Sequence, residues 1–391
     1  MELVHGGDWA GYRARFGHDA LDFSANVSPL GLPQGVADAI VAALPTADRY
    51  PDPLCRELRT ALSRAEQLPE PWILCGNGAA DLIYRLVWAL KPRRALLPAP
   101  TFAEYAAALE SVGCEVKRKT LHEADDFAVT EAFVQAVNQS IDLVFLCQPN
   151  NQRRVGAQGI PQPHPGHGVQ FGERFQNNKV GRGLQKRFGR QGIPLLQKVQ
   201  KALIHHQHGP AVRTAAHQAL HQLRRGNLPG GVVGLAQKHQ VNALVHCLQA
   251  FTKLYAMAGV RLGYALCANT ALLAKMQAAG QPWGVSSLAQ AAGAAALRET
   301  AYADAVRALI ADQRPRLAAG LRALGLQVIE GSANYLLFRA PKTLGAVLQQ
   351  RGVCLRSCGN YPGLSAGWYR TAVRTAPENE QLLQTMREVL K

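Results

Sequence analysis

Two stretches of the chain repeat one order of hydrophobic and polar positions: a short apolar run, a turn, and an apolar stripe at helical spacing. "WILCGNGAADLIYRLVWAL" (72–90) predicts a short buried strand, a glycine-rich turn and an amphipathic helix. "LLPAPTFAEYAAAL" (96–109) predicts a strand, a proline-kinked loop and a second helix. A third apolar run, "DLVFLC" (142–147), leads into the loop "QPNN" and then into "QRR". From there the pattern stops, because residues 152–248 hold neither sustained alternation nor a helical stripe.

Composition narrows what the rest can be. With 391 residues, 48% hydrophobic and 18% charged, the chain is long enough for two packed layers around a large core and for two domains. The longest apolar runs, "LVFLC" and "LIYRLVWAL", fall short of the roughly 20 residues a membrane span needs. No charged-then-apolar leader opens the chain, so a cytoplasmic protein with no membrane partner is expected. The eight cysteines (55, 75, 114, 147, 247, 267, 354 and 358) form no Cys-x-x-Cys, which points to buried thiols in a reducing compartment and to no metal.

The net charge of +16 would suggest a nucleic-acid partner if it were spread over the chain. Instead it is confined. Residues 152–248 carry fourteen lysines and arginines against a single acid, Glu173, and nine of the twelve histidines. A basic nucleic-acid insert, a disordered linker and a reading error compete to explain this segment, and the genetic code discriminates among them. All 17 pairs from Gln135 with Leu248 to Asn151 with Val232 permit complementary codons read in opposite directions. So do all 23 pairs between residues 152–174 and 272–250. The segment therefore reads as the antisense of the same gene, inserted backwards, and 152–249 is not expected to fold natively. Decoded in reverse, 231–229 permit Pro-Thr-Gly after "PNN", and 208–198 permit a valine-rich strand ending in Asp-Glu. His205, His206 and His208 then follow from the antisense of valine codons and need no metal. "GRGLQKRFGRQG" lacks the aromatic interleaving of single-strand binders, so no nucleic-acid partner is expected.

The chemistry lies outside that segment, in "AFTKLYAMAGVRLGY" (250–264). A lysine among apolar residues has a lowered pKa, and an amine partly unprotonated near neutrality attacks carbonyl carbon. An isolated lysine in an apolar run is ordinarily a snorkelling surface residue. Here Arg261 follows eight positions later, across a glycine that permits close backbone approach.

Thr-Lys followed by Ala-Gly-x-Arg-Leu-Gly-Tyr resembles the signature of the fold type I pyridoxal-phosphate enzymes, in the branch that holds histidinol-phosphate aminotransferases and threonine-phosphate decarboxylases. The resemblance implies an aspartate-aminotransferase-like α/β fold: a large domain with a mostly parallel sheet plus a small α/β domain. It divides the chain into an arm and part of the small domain (1–40), the large cofactor domain (41–151 and 250–284), the inverted segment (152–249) and the small domain (285–391). Lys253 is implied to bond the aldehyde carbon of pyridoxal 5'-phosphate, with Thr252 and Arg261 on its phosphate. The turn at Gly78, Ala79 and Ala80 occupies the phosphate-loop position, where helix-start amides cradle an anion. Phe102 is implied to stack on the ring, with Tyr105 as the competing stacker. Asn151 is implied to bond the phenolic oxygen. Tyr50, in "RYPDP", matches a tyrosine that reaches a neighbouring subunit's cofactor and so implies a homodimer. Arg370, in "GWYRTAVRT", is implied to fork the substrate carboxylate, with Arg374 assisting. One departure stands out: the acid that partners the pyridine nitrogen belongs to the decoded Asp-Glu, where this chain has Ile204.

Within the branch, "HGGDW" (5–9), "FSANVSPLGLP" (23–33) and "RSCGNYPGL" (356–364) resemble threonine-phosphate decarboxylases more than aminotransferases. They put His5, Asn26 and Arg356 at the substrate phosphate. The implied reaction is decarboxylation of L-threonine O-3-phosphate to (R)-1-amino-2-propanol O-2-phosphate, the linker of cobalamin assembly. Histidinol-phosphate transamination is the alternative, and a basic nucleic-acid-binding protein the alternative of another class.

Overall fold

Along the third apolar run successive side chains go to opposite faces, as a pleated strand requires. Leu143 and Phe145 enter one core cluster, and Val144 and Leu146 enter the other. Leu96 and Leu97 divide in the same way, as do Ile73 and Leu74. Strands buried on both faces read as continuous apolar runs, and that is why these three stand out in the sequence. The structure, a computed structural model, describes residues 6–138, 140–148, 231–238 and 241–390. His5, Asn151 and Ile204 lie outside these residues.

In chain order the strands are β1 (Leu21–Asp22), β2 (Ile73–Gly76), β3 (Arg94–Ala99), β4 (Glu115–Thr120), β5 (Leu143–Gln148), β6 (Gly231–Lys238), β7 (Val241–Ala250), β8 (Gly263–Leu266), β9 (Gln327–Val328), β10 (Tyr335–Arg339), β11 (Val353–Cys354), β12 (Arg356–Ser357) and β13 (Trp368–Ala372). Seven of them form one sheet in the order β2-β8-β7-β6-β5-β3-β4. Helix Gly78–Leu90 lies against it through Leu82, Ile83, Leu86 and Val87, the i, i+3/i+4 stripe of the sequence. A four-stranded antiparallel sheet, β12-β13-β10-β9, builds a second unit whose core includes Phe23, Leu336, Phe338 and Leu382. Its N-terminal contribution comes through β1, which runs parallel to β11.

The large sheet is mixed. β5, β3 and β4 run parallel, whereas β6, β7, β8 and β2 each pair antiparallel with the neighbour before them in the sheet. Five strands thus point one way, while β6 and β8 run against them. β6 and most of β7 come from the segment read as inverted, so the large unit takes in 231–238 and 241–249, residues that the sequence reading had set outside it. The physical reason is local. "GVVGLA" and "NALVHCL" are rich in valine and leucine, and such stretches pair in either direction.

Phe145 is fully buried in the middle of the sheet and stacks on Tyr105 with ring centroids 4.8 Å apart. Phe145→Ala is expected to lower stability by about 3–5 kcal/mol. Urea unfolding measures this, and an unchanged midpoint would mean that the sheet centre is not packed in this way.

Candidate active site

The C-terminal edges of parallel strands gather ligand sites, because loops and helix starts converge there. At this edge β2 ends in Gly76 and helix Gly78–Leu90 begins after Asn77, whose side chain makes no capping bond. Asn77 N–H donates instead to Asp81 Oδ2 at 2.8 Å, and Asp81 Oδ1 accepts from Arg85 Nε at 2.8 Å. The first amides of the helix, at Gly78, Ala79 and Ala80, are thus left to an incoming anion.

Two glycines allow this. Gly78 has φ +84°, and a Cβ there would lie 3.0 Å from Arg261 Nη2. A Cβ on Gly263 would lie 2.7 Å from the Gln249 carbonyl oxygen and 2.8 Å from the Gly78 carbonyl carbon. Arg261 itself holds φ +58°, a left-handed conformation that costs a non-glycine residue roughly 1–2 kcal/mol. That strain brings its guanidinium over Gly78. Helix start and arginine together make a site for a phosphate.

Lys253 lies in the turn region after β7, next to half-buried Thr252. Its amine is lowered to about 8, first by burial, then by the Arg370 guanidinium and, to a smaller degree, Arg261, with the Cys147 thiol opposing them. The Cys147 thiol is raised by burial and lowered by its Tyr105, Arg370 and Lys253 neighbours. Among the described residues no carboxylate is among the charges that act on Lys253.

Arg370 is directly opposite Arg356 across β12 and β13, and its guanidinium lies 5.1 Å from the centre of the Tyr335 ring. Its Nε is buried with no hydrogen-bond partner among the described residues, as are Asn26 Oδ1 and Thr101 Oγ1. Buried polar atoms of this kind call for a polar ligand or water. Arg356 donates to Asn360 Oδ1 at 3.1 Å and lies over the Tyr361 ring. Asn26 is buried, and its carbonyl accepts from Asn334 at 3.0 Å.

The remaining residues divide. Phe102 is half-buried at the start of helix Ala103–Glu110 and meets Tyr105 edge-on. Tyr105 is not a stacker for a ligand, since its ring is sealed against Phe145 and burial raises its hydroxyl well above the usual range. Arg374 is not at the site either. It pairs with Glu378 at 2.6 Å and donates to the Asp22 carbonyl, tying the capped C-terminal helix to β1. Tyr50 is 80% exposed and stacks on Trp283. His5 and Asn151 fall outside the described residues. Sequence reasoning missed Cys147 and Tyr335; both sit in apolar strand runs, where a polar atom aimed at a site has no separate signal.

A phosphorylated pyridine aldehyde fits two parts of this arrangement: its phosphate suits the Gly78–Ala80 amides with Arg261, and its aldehyde suits the Lys253 amine. A carboxylate for the ring nitrogen is absent from the charges on Lys253 among the described residues. The direction of β6 explains the gap. A strand parallel to β5 would bring its C-terminal end to the edge where Gln148 lies, but β6 brings its first residue, Gly231. No metal cluster of three or more ligating side chains occurs among the described residues, and no described helix is long and apolar enough to cross a membrane.

Comparison with known proteins gives a consistent picture. The family described as aminotransferase class I and II matches residues 18–152 and 212–386. A threonine-phosphate decarboxylase of Salmonella typhimurium is 34% identical over 376 residues, spanning 95% of this chain and 91% of the relative. A histidinol-phosphate aminotransferase of Symbiobacterium thermophilum is 29% identical over 379 residues, with the same two shares, 95% and 91%. The crystal structure of histidinol-phosphate aminotransferase from Sinorhizobium meliloti in complex with pyridoxal-5'-phosphate superimposes with a TM-score of 0.71 at 18% identity, covering 100% of this chain and 95% of that one.

Two outcomes test the site. Below pH 8 the folded and unfolded chains both hold the Lys253 proton, so burial of the charge costs stability in full. A shift from 10.5 to about 8 corresponds to about 3 kcal/mol. Between pH 8 and 10.5 the unfolded chain binds the proton that the folded chain has released, so the cost shrinks as pH rises. Lys253→Met is therefore expected to be the more stable protein at pH 7 and to lose that advantage by pH 10.5. A stability difference independent of pH, measured by urea unfolding, would contradict a buried amine. Gly263→Ala is expected to weaken pyridoxal-phosphate binding at least about tenfold, because backbone on both sides blocks the methyl group; equilibrium dialysis reads it.

Proposed function

The chain belongs to the aminotransferase class I and II family, and from that premise we propose that its site is built to decarboxylate L-threonine O-3-phosphate with pyridoxal 5'-phosphate as cofactor. The product is (R)-1-amino-2-propanol O-2-phosphate, used in cobalamin assembly. The observation that carries this reading is the half-buried Lys253, whose amine is lowered to about 8 by burial and by the charges of Arg370 and Arg261. Arg261 and the Gly78–Ala80 amides hold the cofactor phosphate, and Phe102 covers the ring. When bound, the cofactor supplies an acceptor for the electron pair that the departing carboxylate leaves behind.

The chain's own groups do the rest. Arg370 takes the substrate carboxylate and sets the direction of its bond to Cα, which decides between loss of carbon dioxide and loss of a proton. Arg356, with Asn26 and His5, takes the substrate phosphate, whose double charge requires a fixed cation. Lys253, as an ammonium beside Cα, would return a proton there once carbon dioxide has left. The exposed Tyr50 and Trp283 stack is the face that a second copy covers in a homodimer.

The decarboxylase reading rests on "HGGDW" and "RSCGNYPGL" and on the 34% identity, against 29% for the aminotransferase relative. We further read residues 152–248 as the inverted piece of the gene. The only acid in that span is Glu173, so the reversal leaves the chain with the parts that bind the cofactor and without the group that polarises its ring.

The test compares the 391-residue chain with one in which residues 152–249 are replaced by the sense-direction decoding. Carbon dioxide release from threonine phosphate is expected to be about a hundredfold faster in the restored chain, the scale of one preorganised electrostatic group. Equal turnover would overturn the loss of the acid. A keto acid in place of carbon dioxide would establish the transaminase.

A further inference from the structure

The Arg370 guanidinium is surrounded by reasons to move. Arg356 lies directly across the strand pair, and like charges in that position repel. Lys253 is close enough for the Arg370 charge to disfavour the lysine's own. No carboxylate pairs with Arg370 among the described residues, and its buried Nε has no hydrogen bond. What it does have is the face of Tyr335, 5.1 Å from guanidinium carbon to ring centre. The register explains the contact: Leu337 is opposite Arg370 and Tyr335 opposite Ala372, so Tyr335 and Arg370 are diagonal neighbours on one face of the sheet.

We propose that Tyr335 is a positioning residue, whose ring holds the Arg370 guanidinium beside Lys253 without neutralising it. A carboxylate in that place would hold the arginine more tightly, but the substrate carboxylate would then have to displace it. A ring face attracts the cation through its quadrupole and leaves the planar N–H edge open for a bidentate anion. Burial raises the hydroxyl of half-buried Tyr335 far above its ordinary range, so the ring stays neutral at every working pH. The proposal rests on the reading of Arg370 as the carboxylate site.

Two measurements separate this proposal from that reading. Calorimetric titration with O-phospho-L-threonine is run on the full chain and on Tyr335→Phe, Tyr335→Leu, Arg370→Gln and the double variant Tyr335→Leu/Arg370→Gln. The expected result is binding within about twofold for Tyr335→Phe and about tenfold weaker for Tyr335→Leu, the size of a desolvated cation–ring contact. Pyridoxal-phosphate affinity should be unchanged, and Tyr335→Leu should add nothing once Arg370 is gone. Independently of any substrate, trace labelling of Lys253 with acetic anhydride across pH should show a higher midpoint in Tyr335→Leu than in wild type, because a released Arg370 no longer opposes the lysine charge. Tyr335→Phe should keep the wild-type midpoint and serve as the folded control. A chain that binds no phosphothreonine yet shows the labelling shift would refute the substrate and support the positioning role. An unshifted midpoint in folded Tyr335→Leu would refute the role itself, as would equal losses in Tyr335→Phe and Tyr335→Leu or an additive loss in the double variant.

Discussion

At Gly263 the chain passes so close to Gln249 and Gly78 that a methyl group would lie 2.7 Å from one backbone and 2.8 Å from the other. This approach joins the end of β7, the start of β8 and the first turn of helix Gly78–Leu90 in one place. Because Arg261 is two residues before Gly263, the same approach decides where its guanidinium goes, and because Lys253 follows β7, it also limits where the amine sits. Phosphate cradle and amine are therefore not placed independently. Both depend on one contact between backbones that only glycine allows.

Charge follows from that geometry. Lys253, Arg261 and Arg370 are brought together with no acid among the described residues acting on the lysine, so the site is preorganised for anions and holds its lysine partly neutral by repulsion as well as burial. Such a cluster is costly in an empty protein, and ligand anions relieve it. Arg374 shows the contrast. Four residues after Arg370, with Glu378 in reach, an arginine becomes a strut.

The local motifs were legible in the sequence because each is contained in a few consecutive residues: Gly76-Asn77-Gly78 before an apolar stripe, and Lys253 with Arg261 across a glycine. Other features needed the third dimension. Phe102 and Tyr105 are three residues apart on one helix start, and only the position of Phe145 on β5 decides which ring is sealed. Arg370 and Arg374 look alike along the chain, and it is the capping box between Thr375 and Glu378 that sets an acid beside Arg374. The direction of β6 was not legible at all, since alternation of apolar and polar positions reads the same forwards and backwards.

That reversed strand also changes the order in which the sheet can be assembled. β6, β7 and β8 are now consecutive antiparallel neighbours drawn from residues 231–266, a meander with only two residues between its first two strands. Such local pairings form quickly, whereas β5 must find β6 across a long intervening stretch and β2 must find β8 from far upstream. The sheet is then two independently nucleated halves with a seam at β5 and β6, and until that seam closes each half presents an open, apolar edge to any other copy of the chain.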